Sequence, residues 1–291
     1  MLAGLLYLGS GLGLLAVKLL DRSRSDGASD VSLHGRDWTW FGAAVLTGGV
    51  LGPLLLMFGL ARTPASSASL FLTLEGAFTA LVAWIVFREH FHWRIGLGMG
   101  AISLGAVGLA WTATVSLTDI VGSALIAAAC LAWAVDNNLT RNVSLSDPVQ
   151  IAMIKGLVAG SMNLVLSLVG GGHLPDPASV ALSGIVGFFG YGVSLVLFVV
   201  ALRHIGAART GAYFSTAPFV GAAVAILAFG DPITTQLVAA GTLMALGVWL
   251  HLTERHTHEH AHHAMEHAHR HRHDAHHRHE HGPDDPPGEP S

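Results

Sequence analysis

The sequence predicts an all-α integral membrane protein: nine transmembrane helices followed by a disordered, His-rich C-terminal tail. Three observations carry the prediction. Hydrophobic residues make up 52% of the chain and charged residues only 12%, about half the charge of an average soluble domain. Nine apolar runs succeed one another, nearly all long enough to cross a ~30 Å hydrocarbon core as helices. Finally, the stretch Gly59–Trp111 returns in altered form at Val200–His251.

The first run, Leu2–Leu20, starts beside Met1, lacks a positive n-region and continues as a full span up to the polar loop Asp21–Asp37. It is therefore expected to be a retained helix rather than a cleaved signal peptide. Trp38–Ala61, Ala65–Phe87, Ile95–Thr114, Ile120–Val135, Val149–Gly170, Ser179–Leu202, Gly211–Phe229 and Thr235–Leu252 follow. Most connectors span only a few residues, which forces successive helices to run antiparallel in one bundle. The single Cys130 lies inside an apolar run, reads as a packing residue and excludes a disulfide framework.

Basic residues set the expected orientation. With loops assigned alternately to two sides, one side collects Lys18, Arg22, Arg24, Arg36, Arg88, Arg94, Arg141, Arg203, Arg209 and the four tail arginines. The other collects Arg62 alone, and Lys155 sits inside a span. The tail is thus expected in the cytoplasm and Met1 outside, as in a multi-pass protein of the cytoplasmic (inner) membrane.

The duplication has an offset of 141–142 residues: Arg62 falls on Arg203, Gly76 on Pro218, Glu89 on Asp231 and Gly105 on Gly247. Gly42 and Gly48 similarly pair with Gly184 and Gly190. Arg62 and Arg203 lie on opposite sides of the membrane in this topology, so the repeats are inverted, as in transport folds. The expected division is 1–114 for the first repeat, 119–252 for the second and 253–291 for the tail. The first repeat has four spans and the second five, because Ile120–Val135 has no partner upstream. The sequence predicts a 4+5 bundle, and a five-plus-five bundle whose first helix precedes Met1 is its natural completion.

Several polar residues stand inside the apolar runs. Glu75, near the middle of its span, costs several kcal/mol as an exposed carboxylate in lipid, so it is expected to couple transport to an ion or contact substrate in a central cavity. Lys155 is either a counter-ion, to Glu75 or to an anionic substrate, or a side chain that snorkels to the nearby surface. Asp136, Asn137 and Asn138 end the Ile120–Val135 run, where they either stop a helix or coordinate an ammonium or hydroxyl at its C-terminus. Trp133, Tyr191 and Tyr213, together with Trp84, are candidates to line the cavity or to anchor at the interface. Pro53 and Pro218 are expected to kink their spans. Gly96/Gly100, Gly156/Gly160 and Gly184–Gly187–Gly190 offer smooth faces for close helix packing.

Together these features resemble the EamA family of the drug/metabolite transporter superfamily. The resemblance rests on Gly59-Leu60-Ala61-Arg62-Thr63-Pro64-Ala65, on Leu74-Glu75-Gly76 leading to Phe87-Arg88-Glu89, on Trp133 through Arg141, and on Lys155-Gly156-Leu157, and it covers Met1–Leu252. It implies a secondary carrier of small metabolites built from two inverted five-helix repeats. This chain departs from the pattern by its absent first helix, by Gly76, and by Gly230-Asp231-Pro232 where Gly-Glu is commoner. The resemblance also gives Asp136, Asn137 and Asn138 a place in the substrate site.

Beyond Leu252 the chain changes character. His256, His258, His260, His262, His263, His267, His269, His271, His273, His276, His277, His279 and His281 alternate with Glu, Ala and Arg. Imidazoles at this density bind a divalent transition metal without a fold. The tail suggests two alternatives, a Zn, Ni or Co transporter with a metal-collecting tail and a non-transporting metal-buffering membrane protein. No phosphate-binding loop or catalytic constellation is present, so neither an enzyme nor an ATP-driven pump is expected, and no cofactor is required. The expected partners are the lipid bilayer, a small-molecule substrate and divalent metal ions on the tail, with no nucleic acid; a homodimer is compatible with the sequence.

Overall fold

The computed structural model describes residues 1–21, 35, 37–88, 93–110 and 117–253, and among them all regular secondary structure is helical. The tail, with all of its proposed metal ligands, lies outside the described residues, as do Arg22, Arg24, Arg36 and Glu89.

α1 (Leu2–Asp21) forms the first span. The second is interrupted, with α2 (Asp37–Ala44) opening into a π-helical turn, Val45–Leu51, before α3 (Gly52–Leu60). The third is broken at Leu72–Thr73 into α4 (Ala65–Phe71) and α5 (Leu74–Ile85). α6 (Trp93–Ala110) and α7 (Leu117–Asn142) are continuous. α8 (Pro148–Val169) and α9 (Pro177–Gly187) each start with Pro in the first turn behind a capping aspartate: Asp147 accepts from the Val149 N–H, and Asp176 from those of Ala178 and Ser179. That Asp-Pro pairing is a strong helix-start signal. α9 runs through a second π-helical turn, Phe188–Val193, into α10 (Ser194–Phe214); α11 (Ala217–Phe229) and α12 (Thr235–Leu252) complete the order.

Among the described residues eight stretches are long and apolar enough to cross a membrane, one of them the 53-residue Pro177–Phe229. That stretch contains both the 179–202 and 211–229 runs. Gly206 separates them with φ 78° and ψ 171°, a conformation that favours glycine. The chain passes the central cavity at Phe198. It then reaches the α7–α8 turn, where Arg203 donates to the Ser144 and Ser146 carbonyls at 2.7 Å. Beyond Gly206 it returns to the cavity at Phe214. One hydropathic stretch thus makes two passes.

The halves are related by exchange. Ser69 on α4 packs against Gly221 on α11, and Thr79 on α5 packs against Gly211 on α10. Adding 142 to Ser69 and Thr79 gives Gly211 and Gly221, so one contact repeats the other with its partners swapped. α6 and α12 pair similarly: Gly98 faces Gly247 while Gly105 faces Ala240, so these equivalent helices run antiparallel. Equivalent elements pointing in opposite directions are the mark of an inverted repeat.

Polar ties close both ends. Lys18 bonds Asp147 at 2.9 Å beside the Arg203 contacts. At the other end Asp231 accepts the Ser66 N–H at 2.7 Å, which holds the Asp231 carboxyl below its ordinary range. Between the ends, small residues bring backbones together, as Gly156 and Gly160 do against α1. Gly184, also expected to pack, brings the backbone of α9 up against Gly9 of α1, whereas Gly100 has nothing within reach of a Cβ.

Candidate functional site

The two broken helices, α4–α5 and α10–α11, cross at the centre of the bundle, and beside them lies a cavity of about 410 Å³. A pair of interrupted spans at corresponding positions of two halves is the sequence-independent pointer to a substrate site. On one side the cavity is lined by Tyr7, Glu75, Trp133, Asp136, Asn137 and Lys155, and on the other by Gly190, Tyr191, Ser194, Phe198, Phe214, Ala217 and Gly221.

The polar wall centres on α7. Asn137 donates its amide to Glu75 Oε1 at 2.9 Å and lies 3.2 Å from Thr79 Oγ1. Asp136 is satisfied at both oxygens, accepting from Thr140 Oγ1 at 3.0 Å and from Lys155 Nζ at 2.5 Å. Lys155 and Asp136 are both nearly inaccessible, with 4% and 5% of their side chains exposed. Mutual attraction in a site this dry offsets a desolvation cost that either charge alone would suffer. Lys155 therefore neither snorkels nor pairs with Glu75; its partner is Asp136. Glu75 is buried, and among the described residues it forms no ion pair.

The π-helical turn at Val45–Leu51 completes this wall. The Gly52 N–H bonds back to Thr47, five residues earlier, and the next residue, Pro53, has no N–H to give. The Gly48 carbonyl, next in that register, is thereby left for side chains. Tyr7 OH and Trp133 Nε1 both donate to it, at 3.1 and 2.9 Å, while Asn163 donates to the Gly49 carbonyl at 2.7 Å. A Cβ at Gly48 would overlap the Asp136 carboxylate, so glycine is what lets the ion pair sit against this turn.

Comparison with known proteins now bears on the geometry. A sequence model described as the EamA-like transporter family matches residues 1–111 and 120–253. The chain belongs to the EamA-like transporter family. It is also similar to an uncharacterized transporter of Methanothermobacter thermautotrophicus, 29% identical over 238 residues, which is 80% of this chain and 69% of that one. A solved crystal structure, described only as that of a protein, superposes with a TM-score of 0.66 and 15% identity over 87% of this chain and 86% of the other. That likeness concerns the fold alone.

In this EamA-like transporter, Glu75, Trp133, Asp136, Asn137, Lys155 and Tyr191 converge on one cavity. Asn138 does not join them: its amide donates to the Thr79 and Ala134 carbonyls, tying α7 to α5. Tyr213 is 59% exposed and lies outside the lining. The Asp136–Asn138 triplet is not a helix end either, since α7 continues to Asn142. The Asp136 and Asn137 side chains and the Asn138 amide nitrogen find partners on other helices, which weakens the competition with the backbone that would stop a helix. Among the described residues no group of three or more His, Cys, Asp and Glu could hold a metal ion. The sequence reading passed over Tyr7, Thr79, Ser194, Phe198 and Phe214. For Tyr7 a signal existed: Gly48-Gly49 five and four residues before Pro53 predicts carbonyls in need of donors.

Proposed function

We propose that this EamA-like transporter is a secondary carrier, moving a small polar metabolite across the cytoplasmic membrane by alternating access, with ion coupling at Glu75. Glu75 carries the proposal: an intramembrane carboxylate, buried among helices, lines a cavity where two interrupted spans cross. Ionisable groups placed so are expensive and mark substrate or ion pathways. The inverted halves supply two equivalent sets of contacts around the cavity, which a carrier exchanges as one gate closes and the other opens. In the orientation that the basic residues favour, the turn between α7 and α8 faces the cytoplasm.

The test is flux. The purified chain in proteoliposomes is given a mixture of labelled amino acids, amines and sugars under an imposed proton or sodium gradient. The native protein should accumulate a subset of the mixture. Glu75→Gln should lower gradient-driven accumulation at least tenfold while keeping the native elution profile. No accumulation under either gradient, or full accumulation by Glu75→Gln, overturns the proposal.

A further inference from the structure

The charges of the cavity are unequally committed, and this identifies the kind of solute it accepts. Its described lining holds two carboxylates, Glu75 and Asp136, against one ammonium, Lys155. Lys155 is spent on Asp136, and the second oxygen of Asp136 is taken by Thr140. An incoming anion would meet a cation that is already neutralised. Glu75 differs. Its Oε1 accepts from the neutral Asn137 amide, and among the described residues Oε2 takes no hydrogen bond. It is the carboxylate of the cavity without a cationic partner.

The rest of the lining agrees with a positively charged guest. Five aromatic rings, those of Tyr7, Trp133, Tyr191, Phe198 and Phe214, share the cavity wall with Glu75. Tyr7 and Tyr191 meet edge to face at 5.0 Å, and Tyr7 OH and Trp133 Nε1 are directed away to Gly48, which turns these rings toward apolar contact rather than hydrogen bonding. Aromatic faces attract ammonium groups, more strongly where water is excluded. The volume lies within the ~300–1,000 Å³ range of small-molecule sites.

We propose that the cavity binds small organic monocations, amines with an apolar or aromatic body, the ammonium on Glu75 and the body among the rings of Tyr191, Phe198 and Phe214. This rests on the reading that the cavity holds the substrate. A zwitterion would satisfy Glu75 with its ammonium, but its carboxylate would find no uncommitted cation.

Four compounds of nearly equal size test the charge rule on the full chain in lipid nanodiscs. They are 2-phenylethylammonium, neutral 2-phenylethanol, anionic 3-phenylpropionate and zwitterionic phenylalanine. Binding is read by calorimetry and by Trp133-sensitive fluorescence at pH 7. The ammonium should bind at least tenfold more tightly than each of the other three. Glu75→Gln should shrink the preference over the alcohol to less than threefold, and Glu75→Asp should retain most of it. Equal or tighter binding of the anion or zwitterion, no binding of the ammonium to the native chain, or a preference surviving in Glu75→Gln overturns the proposal. The first two readouts need no variant, so misfolding of a mutant cannot obscure them. Flux of the same four compounds separates this proposal from the carrier reading. Binding without flux would remove the carrier and leave the amine site, whereas flux of other solutes without amine binding would do the reverse.

Discussion

The two π-helical turns, around Gly48 and around Gly190, occupy equivalent places in the two halves but have opposite surroundings. At Gly48 the turn is buried against α7, its carbonyl taken by Tyr7 and Trp133 and its Cα pressed to the Asp136 carboxylate. Gly190 is exposed, with nothing within 4 Å of a Cβ, and the side chain that donates to its carbonyl is the nearby Ser194 hydroxyl. The contrast extends to neighbours. Glu75 and Thr79, which meet α7, are buried, whereas their equivalents Ala217 and Gly221 are exposed and line the cavity. The helix α7 is what packs on Glu75 and Thr79. Where it lies against one half the wall is polar and sealed, and at the equivalent place on the other half the space is the cavity. The charged groups of the site thus all sit on the α7 side of the cavity, which is asymmetric in charge.

The sharpest way to break this contrast is through the ion pair that sits on the sealed turn. Asp136→Asn or Lys155→Met alone should destabilise the protein by about 3–5 kcal/mol, because each leaves a buried charge without its partner. The double variant should recover most of that loss, measured as thermal unfolding in detergent; singles that unfold like the native chain would mean the pair is wetter than described.

The glycines themselves sharpen the comparison at the next scale. Gly48→Ala forces a methyl group into Asp136 and should cost about 1–3 kcal/mol, as overpacking does. Gly190→Ala should stay within about 0.5 kcal/mol of the native chain by the same assay. Similar losses at both positions would erase the asymmetry.

A smaller effect tests the Gly48 carbonyl. Tyr7→Phe should cost about 1 kcal/mol, the ordinary worth of a hydrogen bond, because Trp133 continues to satisfy the same oxygen. Tyr7→Phe combined with Trp133→Phe should cost more than the sum of the two, since only then is the carbonyl left unpaired.

The smallest effect lies at Asp231, where the second half caps the start of α4. Its carboxyl is held below the ordinary range by the Ser66 N–H, so its stabilisation is complete at neutral pH and fades as acid protonates it. The unfolding-temperature difference between the native chain and Asp231→Asn should be flat from pH 8 to 5 and shrink below about pH 4.

Much of this arrangement was readable in the sequence, because apolar runs and a repeat offset are one-dimensional properties. The spans and the inverted duplication follow from them. Partner choice does not. Lys155 and Asp136 stand nineteen residues apart on different helices, and which carboxylate receives the ammonium depends on helix rotation that no spacing encodes. Asp136–Asn138 read as a helix stop because in water those residues do compete with the backbone; packed against Thr79, Glu75 and Lys155 they do not. The side that Tyr213 takes is hidden from the sequence for a related reason. Gly206 and the break at Ser215–Thr216 reset the helical phase, so the side that Tyr213 faces cannot be projected from either flanking run.

Gly206 also decides a matter of parity. Read by composition alone, the described chain crosses eight times, which would bring Leu252 back to the side of Met1. The reversal at Gly206 adds a pass and makes the number odd, which puts Met1 and Leu252 at opposite ends of the bundle.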